Sequence, residues 1–478
     1  MVNLRWTLLF LLLSLIPITQ LSAQQLNEQG KRMKRDISIL ASDSLQGREA
    51  GTIGERMASA YIAAQMKQIG LIPAGDSVGS YLYHFRMNYP VVYKNGMLKV
   101  NNQVLKYVEE FGATDLSAPG SATASLSDIE TGEYLLDKDD ISPINNPELN
   151  GKIVVMDINS AEDTKDNILI VNNISSRIRK AIDGGALAVL LHNSSRNKDE
   201  DLLFGSPYTA SLSIPVLYIT RSGYEKLGKQ KGRICSLAID IDHTVRKPAN
   251  VIGWIDNKAS KSIIICAHYD HLGIKKKSTQ DQTLQVFNGA DDNASGTAAL
   301  LELARDISQY KNLRYNYIFV AFTAEEKGLF GSKAYASLPE INPGRIAYML
   351  NMDMVGRLGA EGDTMSILGV ASSPLWDNLL DQLPHPDFDI KKIPGAPPFS
   401  DHAPFLKKNI PVIYFTTGLH KQYHKPDDDT ELINFVGMEE LITYLGNFIE
   451  ETEKINDFPF QRIDFIKNIK AYFSTFSK

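Results

Sequence analysis

The chain has 478 residues, of which 43% are hydrophobic, and its 50 basic and 56 acidic residues leave a formal net charge of −6. This hydrophobic content is ordinary for globular protein and the length exceeds what one average core requires, so we expect two domains rather than extended disorder. No run of basic residues is longer than Lys275–Lys277. Without a basic face, nucleic acid is excluded as the expected partner.

The first 23 residues have the pattern of a secretory signal peptide. Arg5 precedes an apolar run from Leu8 to Ile16, Pro17 breaks the run, and Ala23 ends the segment before polar residues begin. The alternative, an uncleaved membrane anchor, needs roughly 20 apolar residues, and the run is shorter than that. We therefore predict cleavage after Ala23 and export to the periplasm or the medium, without stable membrane insertion afterwards.

Two cysteines remain beyond the signal peptide, Cys235 and Cys266. They lie in stretches that we assign to different domains, so we predict free buried thiols rather than a disulfide. So few cysteines in an exported protein favour a bacterial periplasm over a disulfide-rich extracellular setting.

A helix is predicted from Glu55, where apolar residues recur at helical spacing, to the stop signal at Gly70. The stretch 88–246 then alternates between strand and helix patterns and holds no cluster of candidate metal ligands. Strands are predicted there at 151–157, 186–192 and 214–219, and helices at 174–184 and from Ser222. We interpret 88–246 as an inserted domain with its own core. The other predicted parts are a split catalytic domain, residues 24–87 with 247–455, and a helical tail, residues 456–478.

Four later runs are apolar throughout, which predicts strands buried on both faces of a sheet. They are Ile263–Ala267, Tyr317–Phe322, Ala347–Leu350 and Pro411–Phe415. Helices predicted at Thr297–Ile307 and 331–338 lie between them. This alternation is typical of an α/β fold in which a mixed, mainly parallel sheet lies between layers of helices. Side chains that follow such strands gather in the crevice outside the carboxyl ends, where open α/β sheets bind ligands.

Candidate metal ligands occur in five short strings: Ala267–Asp270, Gly289–Gly296, Ala324–Glu326, Asn351–Asp353 and Tyr423–Asp427. Together they offer two imidazoles and three carboxylates, the donors that a pair of divalent cations needs for metal-assisted hydrolysis. Taken singly, the strings also have structural interpretations. One of Asp291 and Asp292 could cap the following helix, and the Glu325–Glu326 pair could be a solvated helix start.

The chemistry of these residue types suggests roles. His268 and Asp270 are separated by one residue, so on an extended chain they point the same way and the carboxylate can orient the imidazole. Of two adjacent glutamates, one would bind metal and the other would take the proton of the attacking water. An acid in the apolar context of Asp353 needs a partner. Spacing leaves the second histidine open among three candidates: His402, His420 and His424.

Taken together, the strings resemble peptidase family M28, a family of co-catalytic zinc peptidases. The Gly289–Gly296 string and the glutamate pair after an apolar strand are highly specific to that family. Two further stretches are similar to it, Leu40–Arg48 and Ser400–Phe405. The resemblance implies the zinc-exopeptidase fold, and it implies that the insert is similar to a protease-associated domain.

The same resemblance implies five metal ligands: His268, Asp292, Glu326, Asp353 and His424. In it Asp292 bridges two zinc ions, Glu325 is the general base and Asp270 supports His268. It selects His424 among the histidines, because the family ligand lies in a Tyr-His-x-Pro-x-Asp context. Zinc is the expected ion, although cobalt or manganese would also suit oxygen and nitrogen ligands.

The expected substrate is a peptide, and removal of N-terminal residues is the first interpretation. A carboxypeptidase would need a cationic clamp, for which Arg357 is the candidate near a ligand string. A glutaminyl cyclase would use a single zinc ion, against which the complete set of five ligands argues. A binding protein without catalysis is the remaining alternative, and it would be expected to have lost ligands.

Overall fold

Two large sheets organise the computed structural model, which describes residues 26–464 except 108, 115, 130–148, 159–176, 195–211, 229–231, 278–280, 282 and 360–363. The predicted signal peptide lies outside the described residues. Of the predicted helical tail, residues 456–464 are described and contain no helix, and the rest lies outside the described part. Within the part of the chain that the structure describes, no helix is both long and apolar enough to cross a membrane.

The first sheet has nine strands and carries the candidate ligands. Its spatial order is Ile72–Pro73, Ala249–Ile255, Asn316–Phe322, Ser262–His268, Ile346–Met352, Val412–Thr416, Thr364–Leu368 and Asp389–Ile393, with Leu82–His84 also paired to Ala249–Ile255. The four strands from Asn316–Phe322 to Val412–Thr416 are parallel, and antiparallel neighbours flank them on both sides. The predicted mixed, mainly parallel sheet is confirmed.

Helices cover both faces of this sheet. One face packs against Glu28–Leu40, Ile53–Ile69, Gly296–Ile307, Trp376–Gln382 and Phe435–Thr452, and the other against Phe330–Ala336 and Ala403–Leu406. Along the strand Ser262–His268, Ile263 and Ile265 lie in the first helical core and Ile264 and Cys266 in the second. Burial on both faces explains why the run is apolar at every position. Each buried side chain of this size stabilises the fold by about 1.5–3 kcal/mol.

The helix predicted from Glu55 to Gly70 spans Ile53–Ile69. Thr52 caps its first turn, since the side chain accepts a hydrogen bond from the Glu55 N–H. At the other end Gly70 has a φ of 91°, a left-handed conformation that only glycine adopts without cost.

The second sheet has eight strands and comes from residues 87 to 246. Its spatial order is Gln103–Leu105, Met87–Val100, Ile234–Arg246, Gly120–Ile129, Ile153–Asp157, Ala188–His192, Val216–Ile219 and Phe111–Ala113. The chain enters and leaves through two long antiparallel strands, with Met87 opposite Arg246. Helices lie at residues 177–183 and Arg221–Leu227. Cys235 lies in this sheet and Cys266 in the first, and both are free and buried as predicted.

Candidate metal centre

The candidate ligands meet at the carboxyl edge of the parallel strands. His268 is the last residue of Ser262–His268, Asp353 directly follows Ile346–Met352, and Glu326 lies in the turn after Asn316–Phe322. Because parallel strands end at the same edge of a sheet, these side chains converge as the sequence predicted.

The Asp292 carboxylate divides its two oxygens between two histidines. Oδ1 lies 3.4 Å from His268 Nε2, and Oδ2 lies 3.1 Å from His424 Nε2. Asp353 Oδ1 is 3.3 Å from the same His268 nitrogen, and Glu326 Oε2 is 3.3 Å from the same His424 nitrogen. Tetrahedral zinc with bonds of about 2.0–2.1 Å separates neighbouring ligand atoms by about 3.3 Å. Two sets of donors with this spacing thus share Asp292; we call them the His268 side and the His424 side.

Hydrogen bonds orient Asp353 within the His268 side. Its Oδ2 accepts a hydrogen bond from Ser400 Oγ at 2.8 Å, and Ser400 in turn accepts one from Asn351 Nδ2 at 2.8 Å. The thiol of Cys266 donates to Asn351 Oδ1 at 3.1 Å. This buried chain holds Oδ2 and leaves Oδ1 turned toward His268, the kind of support that tunes metal ligands.

Backbone strain is retained at three points around the centre. Ala324, Met354 and His424 have φ values of 57°, 58° and 55°. A left-handed conformation costs a residue other than glycine about 1–2 kcal/mol. The first two residues adjoin Glu325 and Asp353, so the surrounding structure offsets this cost where candidate groups must be aimed.

Asp270 lies beside both His268 and Glu325. Its Oδ1 is 3.7 Å from His268 Nδ1, which instead lies 3.2 Å from the Asp270 carbonyl oxygen. The same Oδ1 accepts a hydrogen bond from the Glu325 N–H at 3.1 Å. Because the strand ends at His268, residues 269–270 no longer alternate as an extended chain, and the Asp270 carboxylate reaches the Glu325 backbone as well as the His268 ring.

Electrostatics separate the two adjacent glutamates. Burial, reinforced by the negative charges of Glu326 and Asp353, raises the pKa of Glu325 well above its ordinary value, against the opposing effect of His268. Burial also acts to raise the pKa of Glu326, but the charge of His424 and other imidazole contacts outweigh it and lower that pKa. Glu326 is therefore suited to bind a cation as a carboxylate, and Glu325 is suited to accept a proton.

Of the three candidate histidines, His424 lies at the centre. His402 stacks on Tyr414 and contacts the Pro397 carbonyl at 2.8 Å. His420 Nε2 lies 3.3 Å from Asp291 Oδ2, and Asp291 Oδ1 accepts a hydrogen bond from the Gly356 N–H. Asp291 thus holds neighbouring loops, whereas Asp292 faces the candidate ligands.

Asp428 has a structural role that the sequence reasoning missed. Its Oδ2 accepts hydrogen bonds from the N–H groups of Asp291 and Asp292 at 2.9 and 3.1 Å. Its Oδ1 accepts one from Arg357 Nη2 at 2.8 Å. The signal was present, because Asp428 ends the Tyr-His-x-Pro-x-Asp pattern, but only the fold shows that it fixes the backbone that carries Asp292.

Arg48 is the second missed residue. Its guanidinium is fully buried and donates hydrogen bonds to main-chain carbonyls of four residues: Leu40, Tyr269, Asn288 and Gly289. It therefore ties the upstream Leu40–Arg48 stretch to the two loops that carry His268 and Asp292. The sequence drew attention to this stretch without indicating why an arginine ends it.

His271 is the third missed residue, and it lies within the centre itself. It is fully buried, and its Nδ1 is 2.8 Å from Glu326 Oε1. A histidine three residues after His268 was a signal that could have been read from the sequence.

The residues present fit a divalent cation. Among the described residues, both carboxylate oxygens of Glu326 and both ring nitrogens of His271 are buried without a hydrogen-bond partner. Within that same part of the chain, the donor groupings compatible with a metal ion are His268 with Glu325 and Asp353, and His271 with Asp292 and Glu326. Such nitrogen and oxygen donors suit zinc, and cobalt or manganese as well.

Sequence comparison identifies relatives of this region. Residues 250–448 match the model of peptidase family M28. Aminopeptidase YwaD of Bacillus subtilis (strain 168) is 29% identical over 281 residues, which cover 54% of this chain and 55% of that protein. Leucine aminopeptidase 2 of Trichophyton rubrum is 28% identical over 182 residues, covering 35% and 36%. The chain thus spans about half or less of the length of these relatives.

Solved structures share the fold. The aminopeptidase from Aneurinibacillus sp. strain AM-1 has a TM-score of 0.61 at 22% identity, covering 91% of this chain and 97% of that one. BSAP, a zinc aminopeptidase from Bacillus subtilis, has a TM-score of 0.57 at 24% identity, covering 91% and 99%. The match to the model of peptidase family M28 spans residues 250–448 and includes every candidate ligand from His268 to His424, so this region of the chain is similar to that family.

Proposed function

We propose that this protein is an exported aminopeptidase that holds two zinc ions and removes N-terminal residues from peptides. The observation that carries the proposal is the position of Asp292, whose two oxygens face His268 and His424 separately. A carboxylate placed in this way can bridge two cations. The names of the relatives, YwaD and BSAP among them, support aminopeptidase activity over other reactions of the fold.

In this proposal each side chain has one task. His268 and Asp353 would hold one ion, Glu326 and His424 would hold the other, and Asp292 would contribute to both. When bound, the ions supply Lewis acidity, which polarises the scissile carbonyl and lowers the pKa of an attacking water to about 7.

The proton steps belong to Glu325. Its carboxylate accepts the proton of the attacking water and later delivers it to the leaving amine. Its backbone position is set by the hydrogen bond from its N–H to Asp270. The raised pKa of Glu325, caused first by burial, suits a group that must both take and return a proton.

The segment 88–246 is proposed to be an accessory domain similar to a protease-associated domain. Two observations support this proposal. The segment has a sheet and hydrophobic cores of its own, and its described residues contribute nothing to the candidate donor groupings. Arg179, on the helix at 177–183, lies close enough to Lys333 that its charge lowers the pKa of that lysine, after the larger effects of burial and Lys407. This interaction supports a position of the segment beside Lys333.

A carboxypeptidase remains the second candidate, but Arg357, the clamp expected from the sequence, does not support it. Arg357 is buried in an ion pair with Asp428 and cannot clamp a substrate. A groove of about 470 Å³ is lined by Gly328, however, and by three lysines: Lys333, Lys407 and Lys408. A C-terminal carboxylate is the group that such a groove would attract.

The experiment that tests the proposal is a hydrolysis panel of free-amine, N-blocked and C-terminal substrates, with and without added zinc. An aminopeptidase requires the free amine and loses activity when the metal is removed. Cleavage of N-blocked peptides at the C-terminus would select the carboxypeptidase instead. No hydrolysis by zinc-loaded protein would refute both. For export, the mature protein recovered from the periplasm or medium of the source cell should begin at Gln24.

A further inference from the structure

His271 occupies the centre without a role in the function proposed above. Its Nδ1 lies 2.8 Å from Glu326 Oε1 and 3.8 Å from Asp292 Oδ2. Its ring lies edge-on to that of His424, with 5.8 Å between the centroids. Two imidazoles and two carboxylates therefore surround one point on the His424 side.

A hydrogen bond does not account for the short contact between His271 and Glu326. The separation has the length of a hydrogen bond but not its direction, and within the described part of the chain neither side chain has a hydrogen-bond partner for its buried polar atoms. Each buried polar group left without a partner costs about 1–3 kcal/mol. One divalent cation between them would satisfy both residues at once.

The backbone makes room for this imidazole. Gly289 begins the string that carries Asp292, and a Cβ atom at this position would lie 2.5 Å from His271 Cγ. Since such a contact is shorter than real Cβ atoms tolerate, a glycine at position 289 allows the ring to approach the candidate ligands. The position of the His271 ring therefore depends on glycine at position 289 of the neighbouring string.

We propose that His271 is a further metal ligand, donating Nδ1 to the divalent cation that Asp292, Glu326 and His424 would hold. This inference rests on the proposed centre of two zinc ions. It makes the two ion positions unequal, with four protein side chains on the His424 side and three on the His268 side. The position with three protein ligands keeps a place open for water or substrate, as catalytic zinc sites do.

The test compares zinc binding by the full-length mature chain, its His271→Gln variant and His424→Gln. Calorimetric titration of metal-free protein should find two ions in the wild type. In His271→Gln, one ion should bind more than about 100-fold more weakly, beyond the loss typical of an outer-shell partner, while the other keeps its affinity. His424→Gln should weaken the same ion. His192→Gln is the matched control, because His192 is also buried but lies in the second sheet.

Direct ligation is tested by His271→Cys loaded with cobalt. A cysteine that reaches the ion adds a sulfur-to-cobalt charge-transfer absorption, which a residue with only a structural role does not produce. The melting temperature of each metal-free variant shows whether the fold is kept. If His271→Gln does not fold, the His271→Cys spectrum decides alone.

The outcomes separate the two proposals. A wild type that binds fewer than two ions refutes the proposed centre. If the wild type binds two ions, the centre stands and the variants decide the role of His271. That role is overturned if His271→Gln binds both ions with unchanged affinity, or if His271→Cys lacks the charge-transfer band.

Discussion

The Glu325 N–H donates a hydrogen bond to Asp270 Oδ1 at 3.1 Å. This contact couples the proposed proton acceptor to the loop that follows His268. Asp270 and Glu325 lie in loops that follow two different strands. Asp270 is predicted to support His268, and its carboxylate, 3.7 Å from His268 Nδ1, also holds the backbone of Glu325. A disturbance of either loop should therefore reach both the candidate ligand and the candidate base.

The two adjacent glutamates should behave differently when each is replaced by glutamine. Glu325→Gln keeps the size of the side chain and removes the base, so turnover should fall about 10²–10⁴-fold while metal content stays at the wild-type level. Glu326→Gln should weaken metal binding, and excess zinc should restore part of the activity. The measurements are turnover and bound metal for each variant.

The reverse pattern would contradict these roles. If Glu325→Gln loses metal, or if Glu326→Gln keeps both ions and is inactive, the two side chains have been assigned the wrong way round.

Replacement of Asp292 by asparagine should remove at least one ion along with activity. The reason is the position of its oxygens, 3.4 Å from His268 Nε2 and 3.1 Å from His424 Nε2. An amide offers only one oxygen and no charge to two cations. Elemental analysis of purified protein should give two ions per chain in the wild type and at most one in the variant. Asp291→Asn, next to it in the chain, should keep both ions.

Arg48→Lys should destabilise the fold. A lysine cannot reach all four carbonyls that the guanidinium satisfies, and each buried carbonyl left unpaired costs about 1–3 kcal/mol. Urea denaturation should show a loss of about 2–4 kcal/mol in the free energy of unfolding. Arg56→Lys is the control, since Arg56 is exposed on the next helix and its replacement should change stability by less than about 0.5 kcal/mol. Equal stability of the two variants would contradict the role of Arg48.

Glu55 should make stability depend on pH. Burial raises the pKa of Glu55 to about 7, against hydrogen bonds from Tyr269 and Ala249. The folded state therefore holds a proton that the unfolded chain releases near its ordinary pKa of 4.5, so stability falls as pH rises from about 4.5 through 7.

Glu55→Gln should remove this dependence, because a neutral amide keeps the hydrogen-bonding oxygen without the charge. Above pH 7 the variant should be more stable than the wild type by about 3 kcal/mol, and below pH 4.5 the difference should vanish. Melting temperatures of both proteins between pH 4 and 8 measure the difference. A constant difference across this range would show that Glu55 does not titrate within it.

Local patterns were sufficient to predict the four parallel strands of the first sheet, but not the five other strands that pair with them. The run Ile263–Ala267 is apolar at every position, and burial on both faces requires that composition whatever the rest of the fold. Parallel strands separated by helices end at one edge, so the meeting of His268, Asp353 and the glutamate pair also followed from chain order. Of the predicted helical tail, only residues 456–464 are described, and these contain no helix.

From the sequence alone it was possible to read the residue types at the centre, the parallel strands after which several of them lie and the resemblance of this region to peptidase family M28. Only the tertiary structure decided which atoms face one another. It turned Asp270 toward Glu325, brought Asp428 beneath Asp292 and placed His271 against Glu326. These contacts join loops that are remote in the chain or lie beyond a strand end, where neither helical nor strand periodicity constrains the direction of a side chain.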